Sequence, residues 1–437
     1  MKYDYDIIVI GSGVAGSTVA RRCAGAGWKT AVVDNRPLGG TCSQRGCDPK
    51  KVLYEAADIV RRSQMLEHHG ISRTAGIDWK DLMRFKNSFT RSIPEDTREN
   101  FEDKGIDIYR GTASFTGNNS IWINTEEISS SKFVIATGSS PRKLGIPGEE
   151  NLAYSDDFLK MEDMPNQIVF LGGGYISFEF AFIAKMAGCE NVTILEEAPQ
   201  PLGNFDSYLV EKLLKICNEI GINVVVNFKI NTIKKECKFY KIDGEFDSTD
   251  KRIFKTLMVV HGAGRTPNID KLNLEKANVD YNKKGIIVNQ KMQSVSNKSI
   301  YAAGDVTARG KKLTPVAALQ GSTIADNLLD GDKSRASMNN VPFVLFTIPP
   351  LASVGITEDE IDDKSEVTII QQDTSDWFSS RRIGLNHSGY KIITDREGHV
   401  ILGAHILGHN SQEVINLVAL AMKHGLRIDQ LENTIFT

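Results

Sequence analysis

Cysteine is scarce in this chain: six occur in 437 residues, Cys23, Cys42, Cys47, Cys189, Cys217 and Cys237. That is too few for a disulfide scaffold in a protein of this length. Clustered metal ligands are missing too, since no histidine or further cysteine lies near Cys42 and Cys47, so no metal site is expected. An excess of one charge sign is absent. The formal net charge is −3, which gives no bias toward nucleic acid or an anionic membrane surface. The N-terminal apolar run, Ile7 to Ile10, is shorter than the roughly 7–15 residues of a secretory signal core. A longer apolar stretch, residues 168 to 186, is interrupted by Gly172-Gly173-Gly174, Glu179 and Lys185 and reads as strand, turn and helix. No low-complexity tract is present. These absences leave a cytoplasmic globular protein without nucleic-acid or membrane partners. At roughly 100–200 residues per domain it holds two to four domains.

Glycine is plentiful, and its placement is informative. Tyr5 to Asp34 reads YDIIVIGSGVAGSTVARRCAGAGWKTAVVD. A buried strand runs into Gly11-Ser12-Gly13-Val14-Ala15-Gly16, a helix follows, and a second strand ends on an acid. Strand, GxGxxG, helix, strand and acid form the full context of a dinucleotide-binding fold. The glycines admit a pyrophosphate at the helix N-terminus, and Asp34 is placed for a ribose hydroxyl. The pattern returns 161 residues later (172 − 11) in Gln167 to Glu196, QIVFLGGGYISFEFAFIAKMAGCENVTILE. Here the turn is Gly172-Gly173-Gly174-Tyr175-Ile176-Ser177 and the closing acid is Glu196. A carboxylate there repels a 2′-phosphate. Residues 196 to 201 contain no arginine, so NAD is expected over NADP. Two such folds point to two dinucleotides, one a fixed flavin and the other a diffusing nicotinamide.

Between the two folds stands LGGTCSQRGCDPKK, Leu38 to Lys51. Five residues of ideal helix rise about 7.5 Å, whereas bridged cysteines want Cα atoms under about 7 Å apart. A Cys42–Cys47 bridge therefore cannot sit on a regular helix. The chain must bend, and Gly46 is where bending is cheap. Pro49 suits the first turn of a following helix, whose positive end, with Lys50, favours a thiolate at Cys47. Two buried free thiols are the other reading of this spacing.

The stretch resembles the active-site signature of the flavin-dependent pyridine nucleotide–disulfide oxidoreductases, which include dihydrolipoamide dehydrogenase, glutathione reductase and mercuric reductase. Ala136-Thr137-Gly138, Gly262 to Asn268 (GAGRTPN), Gly304-Asp305, Leu313 to Ala317 (LTPVA), Phe346 to Pro350 (FTIPP) and Val354 to Glu358 (VGITE) match further motifs of that family in order. The resemblance implies an α/β fold with two Rossmann-like dinucleotide-binding domains, for FAD and NAD, plus a C-terminal α+β dimerisation domain. The boundaries expected are 1–147 and 271–335 for FAD, 148–270 for NAD(P), and 340–437 for the interface. The polar segment 330–334 leads into the last part.

The resemblance also implies roles. Cys47 is the thiol nearest the flavin, and Cys42 attacks the substrate disulfide. Lys50 sits near flavin N5 and pairs with Glu179, while Tyr175 covers the nicotinamide site. FAD is held by the Gly11, Gly13, Val14, Ala15 and Gly16 turn, by Asp34, Gly40, Thr41, Lys51, Thr137, Asp305 and Thr314, and by the Ala113 and Gly138 backbone. NAD meets Gly172, Gly173, Gly174, Ile176, Glu196 and Gly264. Electrons then pass between NADH, flavin, the Cys42–Cys47 disulfide and a small disulfide or dithiol substrate, in a homodimer. The alternative is a flavin reductase acting on quinone, metal ion or oxygen.

Three departures from the family pattern stand out. The family's His-Pro-Thr motif, which carries an acid–base histidine, is expected to begin about where the sequence reads Glu432 to Thr437, and none of the eight histidines occupies that position, so either the motif follows Thr437 in the natural protein or no such histidine exists. Ser322 replaces an arginine that grips glutathione. Asp48 replaces the usual apolar residue after the second cysteine, where it is expected to raise the Cys47 pKa, with Arg45 as an offset.

Overall fold

The computed structural model describes residues 3–246, 249–331 and 333–435. Asp332 of the polar segment, together with Phe436 and Thr437, lies outside the described residues. The chain divides into two compact units, residues 1–50, 85–142 and 265–338, and residues 51–84, 143–264 and 339–437.

The first unit is built on a seven-stranded sheet. Strand β1 (Tyr5–Ile10) pairs in parallel with β2 (Thr30–Asp34) on one side and with the strand Glu126–Ile135 on the other. Ile300–Ala302 extends the parallel part, and a hairpin of 113–117 and 120–123 adds an antiparallel edge. Ile7, Ile8 and Val9 are fully buried, each contributing about 1.5–3 kcal/mol of burial. Such a continuous apolar run fits a strand covered on both faces. Helix α1 (Val14–Gly25) packs Ala15, Val19, Ala20 and Cys23 into this core. The short helix α2 (Gly40–Arg45) stops at Gly46, and α3 (Cys47–Met65) begins at the next residue.

The second unit holds a four-stranded parallel sheet in the order 222–225, 191–195, 167–171, 258–261. Its central strands are β3 (Gln167–Leu171) and β4 (Asn191–Leu195). Helices α4 (Tyr175–Met186) and α5 (Ser207–Glu219) pack on it. A five-stranded antiparallel sheet formed from residues 343–407 shares the same core through Leu345, Ile348, Leu351 and Leu407, as do Leu53, Tyr54, Ala57 and Val60 of α3. A hairpin turn at Asp395 to Gly398 joins two of its strands. Gly398 N donates to the Asp395 carbonyl at 3.0 Å, and Asp395 Oδ1 accepts from His399 N at 2.6 Å and Val400 N at 2.9 Å.

A buried charge cluster ties α5 to this sheet. Lys391, 1 % exposed, lies 2.8 Å from Asp206, the N-cap of α5, and 2.6 Å from Glu358. Hydrogen bonds from Lys364 and Lys391 hold the Glu358 carboxyl down at about 2.

The last long helix, α6 (Ser411–Lys423), differs from its sequence reading. In the sequence Val414, Leu417, Val418, Leu420 and Ala421 read as one apolar face. Of these Ala421 is buried, and Ile415 and Ala419 are buried against the unit's own sheet, while Val414, Leu417 and Leu420 are 42, 58 and 54 % exposed. The helix is apolar on two sides, and a pattern count merges them into one.

Candidate active site

The turn after β1 fits a dinucleotide diphosphate. A Cβ on Gly11, which has φ +107°, would lie 2.3 Å from the Ala136 carbonyl oxygen. A Cβ on Gly40 would lie 2.4 Å from Gly13 Cα. The two glycine turns therefore meet backbone to backbone. The first N–H groups of α1, at Val14, Ala15 and Gly16, have no intrahelical partner, as at any helix N-terminus. Asp34 at the end of β2 is pre-positioned. Its Oδ2 accepts from Ser12 N at 2.8 Å and Ser12 Oγ at 2.6 Å, and its Oδ1 accepts from Arg36 N at 2.9 Å. Ser12 was not singled out from the sequence, although a hydroxyl inside the glycine turn and an acid 22 residues on is a readable signal.

The second turn repeats the construction. Glu196, just past β4, accepts from Gly173 N through Oε2 and from Ala198 N at 2.7 Å through Oε1. Both acids thus hold the N–H of the turn's second residue and the N–H two residues beyond themselves. Where the first turn has Gly16, the second has Ser177, whose hydroxyl donates to the Gly172 carbonyl. Tyr175, the first residue of α4, is 52 % exposed. Glu179, one turn further, is 6 % exposed and accepts from Phe346 N at 3.0 Å. Ile176 is half-buried beside it, and Gly264 lies past the strand Met258–His261. Lys51 is exposed, with its ammonium 5.0 Å from the Phe346 ring centre.

The other expected residues fall in the first unit. Thr137 Oγ1 donates to the Asn268 carbonyl at 2.8 Å, and Asn268 N donates to the Gly138 carbonyl at 2.9 Å. Asp305 accepts from Ser139 Oγ at 2.8 Å, and Arg265 Nε donates to the same hydroxyl at 3.0 Å. Asn268, Ser139 and Arg265 are thus additional polar supports. Ala113 opens a strand of the hairpin and is buried. Thr41 is exposed and Lys50 is buried. Arg22 is tied to Asp326 at 2.6 Å.

The two cysteines straddle the break between α2 and α3. A Cβ on Gly46 would come within 2.9 Å of the Thr41 carbonyl oxygen, so this residue folds the chain back onto the Thr41–Cys42 turn. Neither sulfur is in a disulfide. Thr314, first residue of the helix Thr314–Asp330, places its hydroxyl 3.0 Å from Cys42 Sγ and 3.6 Å from Cys47 Sγ. A hydrogen bond to Cys47, then burial, pushes the Cys42 thiol well above its usual range, and Thr314 opposes this. Asp48, expected to act on Cys47, also acts on Cys42, whose Sγ lies 4.0 Å from Asp48 Oδ1. Arg45, expected as an offset, is buried with Nη1 on the Gln44 side chain at 3.1 Å. Elsewhere burial pushes Cys23 up to about 12 and Cys189 up to about 11, as befits inert core thiols.

Paired dinucleotide folds with a dithiol at the head of a helix define a flavin- and nicotinamide-dependent disulfide oxidoreductase. Residues 5–321 match the model of the pyridine nucleotide-disulphide oxidoreductases, and residues 341–437 match that family's dimerisation domain. Mercuric reductase of Staphylococcus aureus is 31 % identical over 441 residues, covering 99 % of this chain and 79 % of its own. Glutathione reductase of Burkholderia cepacia is 31 % identical over 428 residues, covering 97 % and 93 %. Among solved structures, a Cu(II) complex of the HOCl-induced flavoprotein disulfide reductase RclA from Escherichia coli superposes with a TM-score of 0.87 at 27 % identity, covering 100 % of this chain and 96 % of that one. The chain belongs to the pyridine nucleotide-disulphide oxidoreductase family, and it is an FAD-dependent enzyme of that family using a nicotinamide nucleotide. No helix among the described residues is long and apolar enough to cross a membrane.

Proposed function

We propose that the protein reduces a small disulfide at the expense of NADH, using Cys42 and Cys47 as the exchanging pair. The observation that carries this reading is the Thr314 hydroxyl held within 3.0 and 3.6 Å of the two sulfurs, where a half-buried dithiol meets a helix N-terminus. Asp34, Thr137, Asp305 and the Gly11 to Gly16 turn hold FAD, with Gly40, Thr41, Lys51, Ala113, Gly138 and Thr314 around it. Bound FAD supplies two-electron transfer between nicotinamide and sulfur. Lys50 lies in the first turn of α3 beside the dithiol and offers it a positive charge. Glu179 is its proposed partner, and Tyr175 is the removable cover of the nicotinamide.

In the exchange, Cys42 as thiolate attacks one sulfur of the acceptor. That S–S bond breaks, a mixed disulfide forms and the first thiolate leaves. Cys47 then attacks Cys42 Sγ, the enzyme disulfide closes and the second thiolate leaves. The two protons of the dithiol end on the two product thiols. A reducible pair of this kind belongs in a reducing compartment, so we place the enzyme in the cytoplasm. Anaerobic titration with NADH tests the reading. Two equivalents should be consumed per chain, and two thiols should become reactive toward 5,5′-dithiobis(2-nitrobenzoate). Uptake of one equivalent with no new thiols would overturn it.

A second reading is reduction of a soft metal cation at the same two thiols. The mercuric reductases among the relatives and the carboxylate of Asp48 beside Cys42 favour it.

We further propose the domain limits 1–147 with 271–335, 148–270 and 340–437, since each part carries one principal sheet. The homodimer is supported by the dimerisation-domain match and by the outward stripe of Val414, Leu417 and Leu420 on α6. Leu417→Asp puts a charge in the middle of that stripe. Light scattering should then report the monomer mass where the parent gives twice that, and an unchanged dimer removes α6 from the interface.

A further inference from the structure

A carboxylate stands on the rim of the dithiol. Asp48 is the second residue of α3 and is exposed, with Oδ1 4.0 Å from Cys42 Sγ. Cys47, from the same end of α3, also acts on Cys42, as does the Thr314 hydroxyl at 3.0 Å from the helix Thr314–Asp330. Thr314 is neutral and Cys47 is the redox partner, so of the three Asp48 carries the fixed negative charge, set against the positive charge of Lys50 in the same turn of α3. The first turn of a helix is a favourable place for such a carboxylate.

We propose that Asp48 is the specificity-determining residue of the dithiol, admitting acceptors that are cationic or neutral near the reacting sulfur and disfavouring anionic disulfides. This rests on the disulfide reading above. Negative charge is shared among three sulfurs at the crest of thiol–disulfide exchange. A carboxylate beside Cys42 opposes that charge to the same degree for every acceptor, and it adds to the upward push on the Cys42 thiol. What differs between acceptors is their own charge. Across about 6 Å of water, Coulomb's law gives each unit of acceptor charge about a threefold effect on rate. A doubly anionic disulfide such as oxidised glutathione is thus slowed relative to neutral 2-hydroxyethyl disulfide, and dicationic cystamine is favoured. Salt should erode these differences.

Two experiments test the proposal, one of them independent of turnover. With exposed Cys237 replaced by serine, the reduced protein is alkylated with iodoacetate and with iodoacetamide, and Cys42 labelling is followed by peptide mass spectrometry. The ratio of the two rates cancels any change in thiol pKa and leaves the charge effect. Asp48→Asn should raise the iodoacetate-to-iodoacetamide ratio about threefold, and Asp48→Lys about tenfold, with both shifts shrinking at high salt. A ratio that does not move in either variant overturns the proposal. In turnover, kcat/KM for oxidised glutathione relative to cystamine should rise at least tenfold in Asp48→Asn. An unchanged ratio in an enzyme that reduces both disulfides also overturns it. If the parent reduces no disulfide while the alkylation ratio shifts as stated, the charge effect at Cys42 stands and the disulfide reading fails.

Discussion

Cys47→Ser lowers NADH-driven disulfide reduction by roughly three orders of magnitude, while NADH oxidation by ferricyanide, an acceptor that needs no thiol, continues. The reason is that the exchange needs two sulfurs. Serine keeps the Thr314 contact and the helix start, so the loss is chemical rather than structural. With serine at 47, a mixed disulfide on Cys42 has no neighbouring thiolate to release it, and the reaction stops after one half-turnover. Mass spectrometry of the variant after incubation with excess disulfide should therefore find Cys42 carrying half of the acceptor. Cys42→Ser should lose disulfide reduction equally and trap nothing, because the attacking sulfur itself is gone. Thr314→Ala serves as the control: both sulfurs remain, only a hydroxyl at 3.0 and 3.6 Å is lost, and the effect should be closer to tenfold. Disulfide reduction at the parent rate in Cys47→Ser would remove the dithiol from the mechanism.

Much of this was legible in the sequence because it is local. The apolar run of β1, the glycine turn, the helix and the acid at Asp34 lie within one short stretch, and each step has its own backbone reason. The second copy was legible for the same reason, down to the serine that replaces the last glycine. Gly46 was readable as a break because two cysteines five residues apart cannot be bridged on a continuous helix. The supports of the acids were harder to see. Ser12 lies inside the motif, but Ser139 meets Asp305 across 166 residues of sequence, and Thr314 meets Cys42 across 272. Only the folded sheet creates such neighbours. The same holds for Asp48. Adjacency in sequence pointed to Cys47, and the break between α2 and α3 also brings Cys42 within 4.0 Å of the carboxylate. On α6 the sequence showed how apolar the helix is but not which side faces its own sheet, since both sides carry leucine-sized or smaller apolar residues.

If Glu196 selects the nicotinamide as proposed, NADH should exceed NADPH in kcat/KM by about a hundredfold. The carboxylate is not free to move aside. Its two oxygens are occupied by Gly173 N and Ala198 N, which fix it over the mouth of the second glycine turn. A 2′-phosphate brought to that position meets a fixed negative charge and finds no arginine in residues 196 to 201. A ribose hydroxyl instead donates a hydrogen bond to the carboxylate, worth about 1.5–3 kcal/mol. Glu196→Gln removes the charge but keeps an acceptor oxygen. It should mainly relieve the repulsion, raising NADPH use about tenfold with a modest loss for NADH. Glu196→Ala additionally leaves two backbone N–H groups without their acceptor, so NADH use should also fall, by about tenfold. The order of the two variants matters more than either value. A charge effect makes glutamine the better substitute with NADH, and alanine no better than glutamine with NADPH. A parent enzyme that turns over NADPH faster than NADH would show that Glu196 only braces the turn, its carboxylate serving Gly173 and Ala198 and never reaching a ribose.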